Sequence, residues 1–133
     1  MKIFLITPHS VDKNFEEKLK IVSEVCQQNG MKAETGVINY DGNFNFDKSV
    51  ELYQEVNFFI ADLSFERPSC YYEVGYAQAL NKKIFLIAEE GTFIHQVNNK
   101  SSLQYYKTLK EYKELIARIV SKLKPIDTPR HIL

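Results

Sequence analysis

The sequence predicts a single α/β domain built on a mostly parallel sheet of four or five strands with helices on its faces. Three observations carry this. Short β-rich runs alternate with amphipathic helical stretches along the chain, as a parallel sheet with helical crossovers requires. The first run, residues 2–7, is unbroken apolar from Ile3 to Ile6 rather than alternating, the pattern of a strand buried on both faces. The chain has 133 residues, enough to bury a core but too few for two domains.

The elements follow in order. Strand one ends at Pro8. Over residues 13–28, Phe15, Leu19, Val22 and Cys26 recur at helical spacing, and Asn29-Gly30 supplies a stop that tolerates a left-handed backbone. Residues 32–38 read as strand two, and the polar stretch 39–45 with Asp41-Gly42 as a loop. Phe46, Val50 and Tyr53 share one face of a short second helix. Residues 57–63 form a third strand, 70–80 a third helix and 83–88 a fourth strand. Residues 89–102 show no period and suit a lid or an interface segment. Residues 104–107 suit an edge strand, where Tyr105 and Tyr106 line either a crevice, a subunit contact or the core. Leu109, Tyr112, Leu115, Ile116, Ile119 and Leu123 form the apolar stripe of a last helix, stopped near Pro125. The domain is therefore placed at residues 1–124, with a loose tail at 125–133.

Composition narrows the function. Lys plus Arg equals Asp plus Glu at seventeen each, so no general electrostatic pull toward nucleic acid or an anionic membrane exists. A small, locally recognised ligand is the expectation. No apolar run approaches the roughly 20 residues of a membrane span. The N-terminal apolar stretch breaks at Thr7-Pro8 before a signal-peptide core could form. Cys26 and Cys70 lie in different elements without metal or redox spacing, which fits free thiols in a reducing cytoplasm. His9, His95 and His131 show no metal-binding spacing, so neither metal nor cofactor is expected.

Ligands of open parallel sheets bind outside the carboxyl ends of the strands. Two segments fall there, Thr7-Pro8-His9-Ser10 and the stretch from Asp62 through Ser69 to Glu73. The first has no glycine, which argues against a dinucleotide fingerprint. Thr7, His9 and Ser10 suit contact with a hydroxyl or phosphate beside the first helix, or plain capping, with Ser10 or Asp12 as N-cap. Asp62 closes an apolar strand, either facing a cleft or tying the following turn to itself. Glu73 falls in a first helical turn if Pro68 or Ser69 starts the helix, where the helix dipole favours the ionised form that attack on an anomeric carbon requires. Simple stabilisation of the helix is the alternative. Tyr71, Tyr72 and Tyr76 surround it in sequence, and Gly75 with Ala79 suits close packing of the helix on the sheet.

The stretch ADLSFERPSCYYEVGYAQALNKKIFLI resembles the nucleoside 2-deoxyribosyltransferase superfamily. There an aspartate closes a strand and a Glu-(Leu/Val)-Gly-Tyr-Ala segment leads through a short stop, here Ala79-Leu80-Asn81-Lys82, into the next strand. The resemblance implies a flavodoxin-like (Rossmann-like) sheet and action on the N-glycosidic bond of a nucleoside or nucleoside monophosphate. It also implies Glu73 as nucleophile, Asp62 as substrate-orienting or acid partner, and Ser69 as a phosphate or sugar contact. A homo-oligomer is implied as well, with residues 93–102 where a partner would contribute. Cys70-Tyr71-Tyr72-Glu73 is similar to the Cys-x-x-Glu of TIR domains, which implies NAD as an alternative substrate, although the chain lacks tryptophan. Arg67 departs from the transferase pattern and adds a positive charge suited to a phosphate, or to pairing with Glu66. A non-catalytic nucleotide sensor is the reading from a different class.

Overall fold

The computed structural model describes residues 1–38 and 44–123. Among the described residues, seven strands and four helices follow one another as β1 (Lys2–Ile6), α1 (Phe15–Gln28), β2 (Lys32–Thr35), β3 (Val37–Ile38), β4 (Phe44–Asn45), α2 (Phe46–Glu55), β5 (Phe58–Asp62), α3 (Pro68–Ala79), β6 (Lys83–Glu89), β7 (Gln104–Tyr106) and α4 (Leu109–Leu123). A 3-10 turn at Lys100–Ser102 precedes β7. The main sheet has the order β2-β1-β5-β6-β7, and every pairing in it is parallel. This is the flavodoxin-like arrangement, in which the strand order reverses between β1 and β5.

Alternation along the strands sends side chains to two cores. Ile3, Leu5, Ile60 and Ile87 meet Val22, Val25 and Cys26 of α1 and Leu115, Ile116 and Ile119 of α4. Phe4, Ile6, Phe59, Ala61 and Leu86 meet Tyr53 of α2 and Cys70, Val74 and Ala77 of α3. Because both faces are covered, β1 and β5 have no polar face, which is why they read as continuous apolar runs.

The helix stops are geometric. At the end of α1, Gly30 takes φ +70, its N–H reaches Gln27 O at 3.1 Å and the Met31 N–H reaches Cys26 O at 2.8 Å, a Schellman motif. Asn81 plays the same part for α3 at φ +58, with Asn81 N to Gln78 O at 3.0 Å and Lys82 N to Ala77 O at 3.3 Å. Asn45 caps α2 by accepting from Lys48 N at 2.9 Å.

Four sequence expectations need correction. Strand two ends at Thr35, and Val37–Ile38 instead pairs antiparallel with Phe44–Asn45 in a separate two-stranded ribbon, so part of the expected loop is strand. Helix three begins two residues early, at Pro68, because proline suits a first helical position where its missing N–H costs nothing. The N-cap position of the first helix is Asn14 rather than Ser10 or Asp12, and its side chain makes no capping bond. The Asp12 carboxylate accepts from Asn14 N at 2.8 Å and so shapes the turn before the helix. Gly75 and Ala79 lie on the exposed side of α3, so their small size does not serve packing against the sheet. Asp41-Gly42 and the tail 125–133 lie outside the described residues. No helix among the described residues is long and apolar enough to cross a membrane.

Candidate active site

Glu73 sits in the second turn of α3, not the first, so the dipole argument made for it does not apply. It is 5% exposed, on the side of the helix that faces α2. Tyr53, fully buried on α2, donates its hydroxyl to Glu73 Oε2 at 2.5 Å, the one hydrogen bond this carboxylate takes among the described residues. Burial raises the Glu73 pKa to about 7, and the Tyr53 hydrogen bond pulls in the opposite direction by favouring the charge. The carboxyl group is therefore poised near neutrality.

Tyr53 links it to an aromatic cluster that is not the three tyrosines expected. Phe46 packs edge-on against Tyr72 and Tyr76, each at 5.1 Å between ring centres, and Tyr53 lies 5.3 Å from Tyr76. Tyr71 points to the other side of α3. Its hydroxyl donates to Glu66 at 2.5 Å and accepts from His95 N at 3.1 Å, while the His95 ring bonds Glu66 directly. Glu66 is thus taken by His95 and Tyr71, and Arg67 has no ion pair among the described residues. Arg67 is exposed at the N-cap of α3, whose first turn has no side-chain cap, and Ser69 is exposed beside it.

Asp62 does not join Glu73. It lies on the opposite side of the sheet, following Ile60 toward α1 and α4, and it is fully buried. Its Oδ1 accepts from Ser64 N at 3.0 Å and from the Ser64 hydroxyl, and its Oδ2 from Tyr106 at 2.6 Å. Lys18 lies 3.5 Å from the same Oδ2 and 2.6 Å from Asp12. The Asx-type tie anticipated as the plainer role of Asp62 is present.

At the end of β1, Thr7 is 3% exposed and its hydroxyl has no hydrogen-bond partner among the described residues, an unsatisfied buried polar group at the switch point. The His9 ring packs 4.5 Å from Phe15, and burial lowers its pKa, which favours the neutral ring. Ser10 is exposed. A cavity of about 380 Å³ lies at the other end of the sheet, among Gln78, Lys83, Phe85 and Gln104, and does not include these groups. No group of three or more metal-ligating side chains occurs among the described residues.

Two participants escaped the sequence. Lys18 sits three residues after Phe15 and four before Val22, so a charge on the apolar stripe of α1 was the signal available. Tyr53 had none, since an aromatic on an amphipathic face reads as core.

No protein-family model and no curated protein sequence matches the chain. Solved structures do. The chain is similar to the CMP N-glycosidase BcmB of Clostridium botulinum, with a TM-score of 0.62 and 19% identity over 87% of this chain and 98% of that one. A 2-deoxyribosyltransferase from Bacillus psychrosaccharolyticus superposes with a TM-score of 0.57 at 16% identity, over 85% of this chain and 90% of that one. A constitutive lysine decarboxylase of E. coli also matches, with a TM-score of 0.52 at 13% identity, over 90% of this chain but 16% of its own. At these identities the likeness is one of fold.

Proposed function

We propose that this chain cleaves or transfers at the N-glycosidic bond of a nucleoside or nucleotide, with Glu73 as the carboxylate that attacks the anomeric carbon. The observation that carries the reading is the Glu73–Tyr53 pair. A carboxylate with a pKa near 7, oriented by a tyrosine hydroxyl from an aromatic cluster, suits reaction with a flat, cationic sugar transition state. That two of the similar folds belong to an N-glycosidase and a deoxyribosyltransferase supports the bond type. The TIR-like alternative gains no such support.

In this mechanism ionised Glu73 bonds to C1′ as the C1′–N bond breaks and the electron pair leaves with the base, which takes up a proton. Water, or a second base, then displaces the glutamate. Exposed Arg67 and Ser69 at the start of α3 suit a phosphate, which favours a nucleoside monophosphate over a free nucleoside. Thr7 suits a sugar hydroxyl. Because the nucleophile must be ionised, activity should rise with pH through about 7.

Incubation with nucleosides, nucleoside monophosphates and NAD, followed by chromatography for free base or nicotinamide, tests the reading. Base release that is lost in Glu73→Gln supports it, and full release by that variant removes Glu73 from the chemistry. The sensor reading is favoured by the near-complete burial of Glu73, and tight binding of a nucleotide without product would select it.

A further inference from the structure

We propose that Asp62 is a positioning residue rather than a group that meets the substrate, and that Lys18, Tyr106 and Ser64 form with it a buried latch setting the loop that leads into α3. The latch lies across the sheet from Glu73, and its catalytic consequence rests on the Glu73 reading.

Neither oxygen of Asp62 is free. Oδ1 holds both the backbone and hydroxyl of Ser64, and Oδ2 holds Tyr106 and Lys18. To reach a ligand the carboxylate, itself fully buried, would have to give up charge-assisted bonds. The latch instead extends outward. The Tyr106 hydroxyl accepts from Lys18 at 2.8 Å and lies 2.9 Å from the Ser64 hydroxyl, which accepts from Glu89 N at 2.7 Å. The Lys18 ammonium also binds Asp12 and lies under the rings of Tyr106 and Tyr112, 5.0 and 5.5 Å from their centres. One cluster thereby ties the loop after β1, helix α1, the loop after β5, the end of β6 and strand β7.

A buried ion cluster adds little stability over apolar packing, so its contribution is to select one arrangement of these loops. The arrangement matters because residues 63–67 run directly into α3. Glu66 is held there at φ +54, a conformation uncommon for glutamate, with its N–H on Leu63 O at 3.1 Å. Arg67 and Ser69, and Glu73 one turn further on, inherit their placement from this loop.

Tyr106→Phe and Asp62→Asn test the proposal through amide hydrogen exchange and the pH dependence of base release. Tyr106→Phe keeps the ring and so preserves the fold if Asp62→Asn does not. In either variant the Ser64, Glu66 and Glu89 amides should exchange about tenfold faster, while amides in the middle of β1 and β5 stay unchanged. Base release should fall by roughly 10- to 100-fold in kcat/KM in both variants, with every limb of the pH profile retained. Unchanged exchange at those three amides overturns the latch, whether or not the protein releases base. Loss of a pH limb in Asp62→Asn, with Tyr106→Phe behaving as wild type, overturns it in favour of direct acid catalysis. Absence of base release by the wild-type protein defeats the Glu73 reading alone, and exchange then decides the latch.

Discussion

A carboxylate with a pKa near 7 leaves a signature in folding as well as in activity. The folded pKa of Glu73 is raised from 4.5 to about 7, so between those values the folded state holds a proton that the unfolded chain has lost. Stability associated with this group is therefore fully present below pH 4.5 and is lost as pH rises toward 7, by at most about 3 kcal/mol. Glu73→Gln removes the titrating group while keeping a side chain of the same shape. Urea unfolding should find the variant more stable than wild type at pH 8, with the difference shrinking toward pH 5. Equal pH dependence in both proteins would contradict the raised pKa. At this scale the structure gives Glu73 a different environment from the one the sequence suggested. A dipole favouring the charge was expected, whereas burial that opposes it is found. The partner that orients Glu73 comes from Tyr53, twenty residues away in sequence on another helix, a separation no local pattern spans.

Elements were more legible than their ends. Buried parallel strands announce themselves by unbroken apolar runs and amphipathic helices by a 3.6-residue stripe, so β1, β5, β6 and helices α1, α2 and α4 fall where periodicity puts them. The ribbon of β3 and β4 did not show, because two residues per strand are too few to carry a period. Helix α3 misleads differently. It is apolar on most of its surface, so sequence alone did not distinguish the face holding Val74 and Ala77 from the face holding Gly75 and Ala79. The structure makes the difference testable. A Cβ at Gly75 would meet nothing within 4 Å, and the position is helical without a positive φ. Gly75→Ala should therefore raise stability by roughly 0.5–1 kcal/mol, measured by chemical denaturation. Destabilisation would show that this face is packed after all.

For the whole molecule, the topological switch between β1 and β5 does two jobs on opposite sides of one sheet. On the α2/α3 side it presents Glu73 with the aromatic cluster of Tyr53. On the α1/α4 side it buries the Lys18 cluster. The family resemblance implied that Asp62 and Glu73 act together, but strand alternation sends Asp62 the other way, with Ile60. Lys18→Met leaves two carboxylates buried without their counterion and should cost about 3–5 kcal/mol. Adding Asp12→Asn should recover part of that loss, by thermal or urea unfolding. A Lys18→Met protein as stable as wild type would mean that the cluster is dispensable.

Reaction of Glu73 at an anomeric carbon is tested by release of free base from cytidine monophosphate and related nucleotides, followed by chromatography for wild type and Glu73→Gln at pH 8. Wild-type protein should release base, and a folded Glu73→Gln variant none above background. Equal release by both proteins would rule Glu73 out as the reacting group.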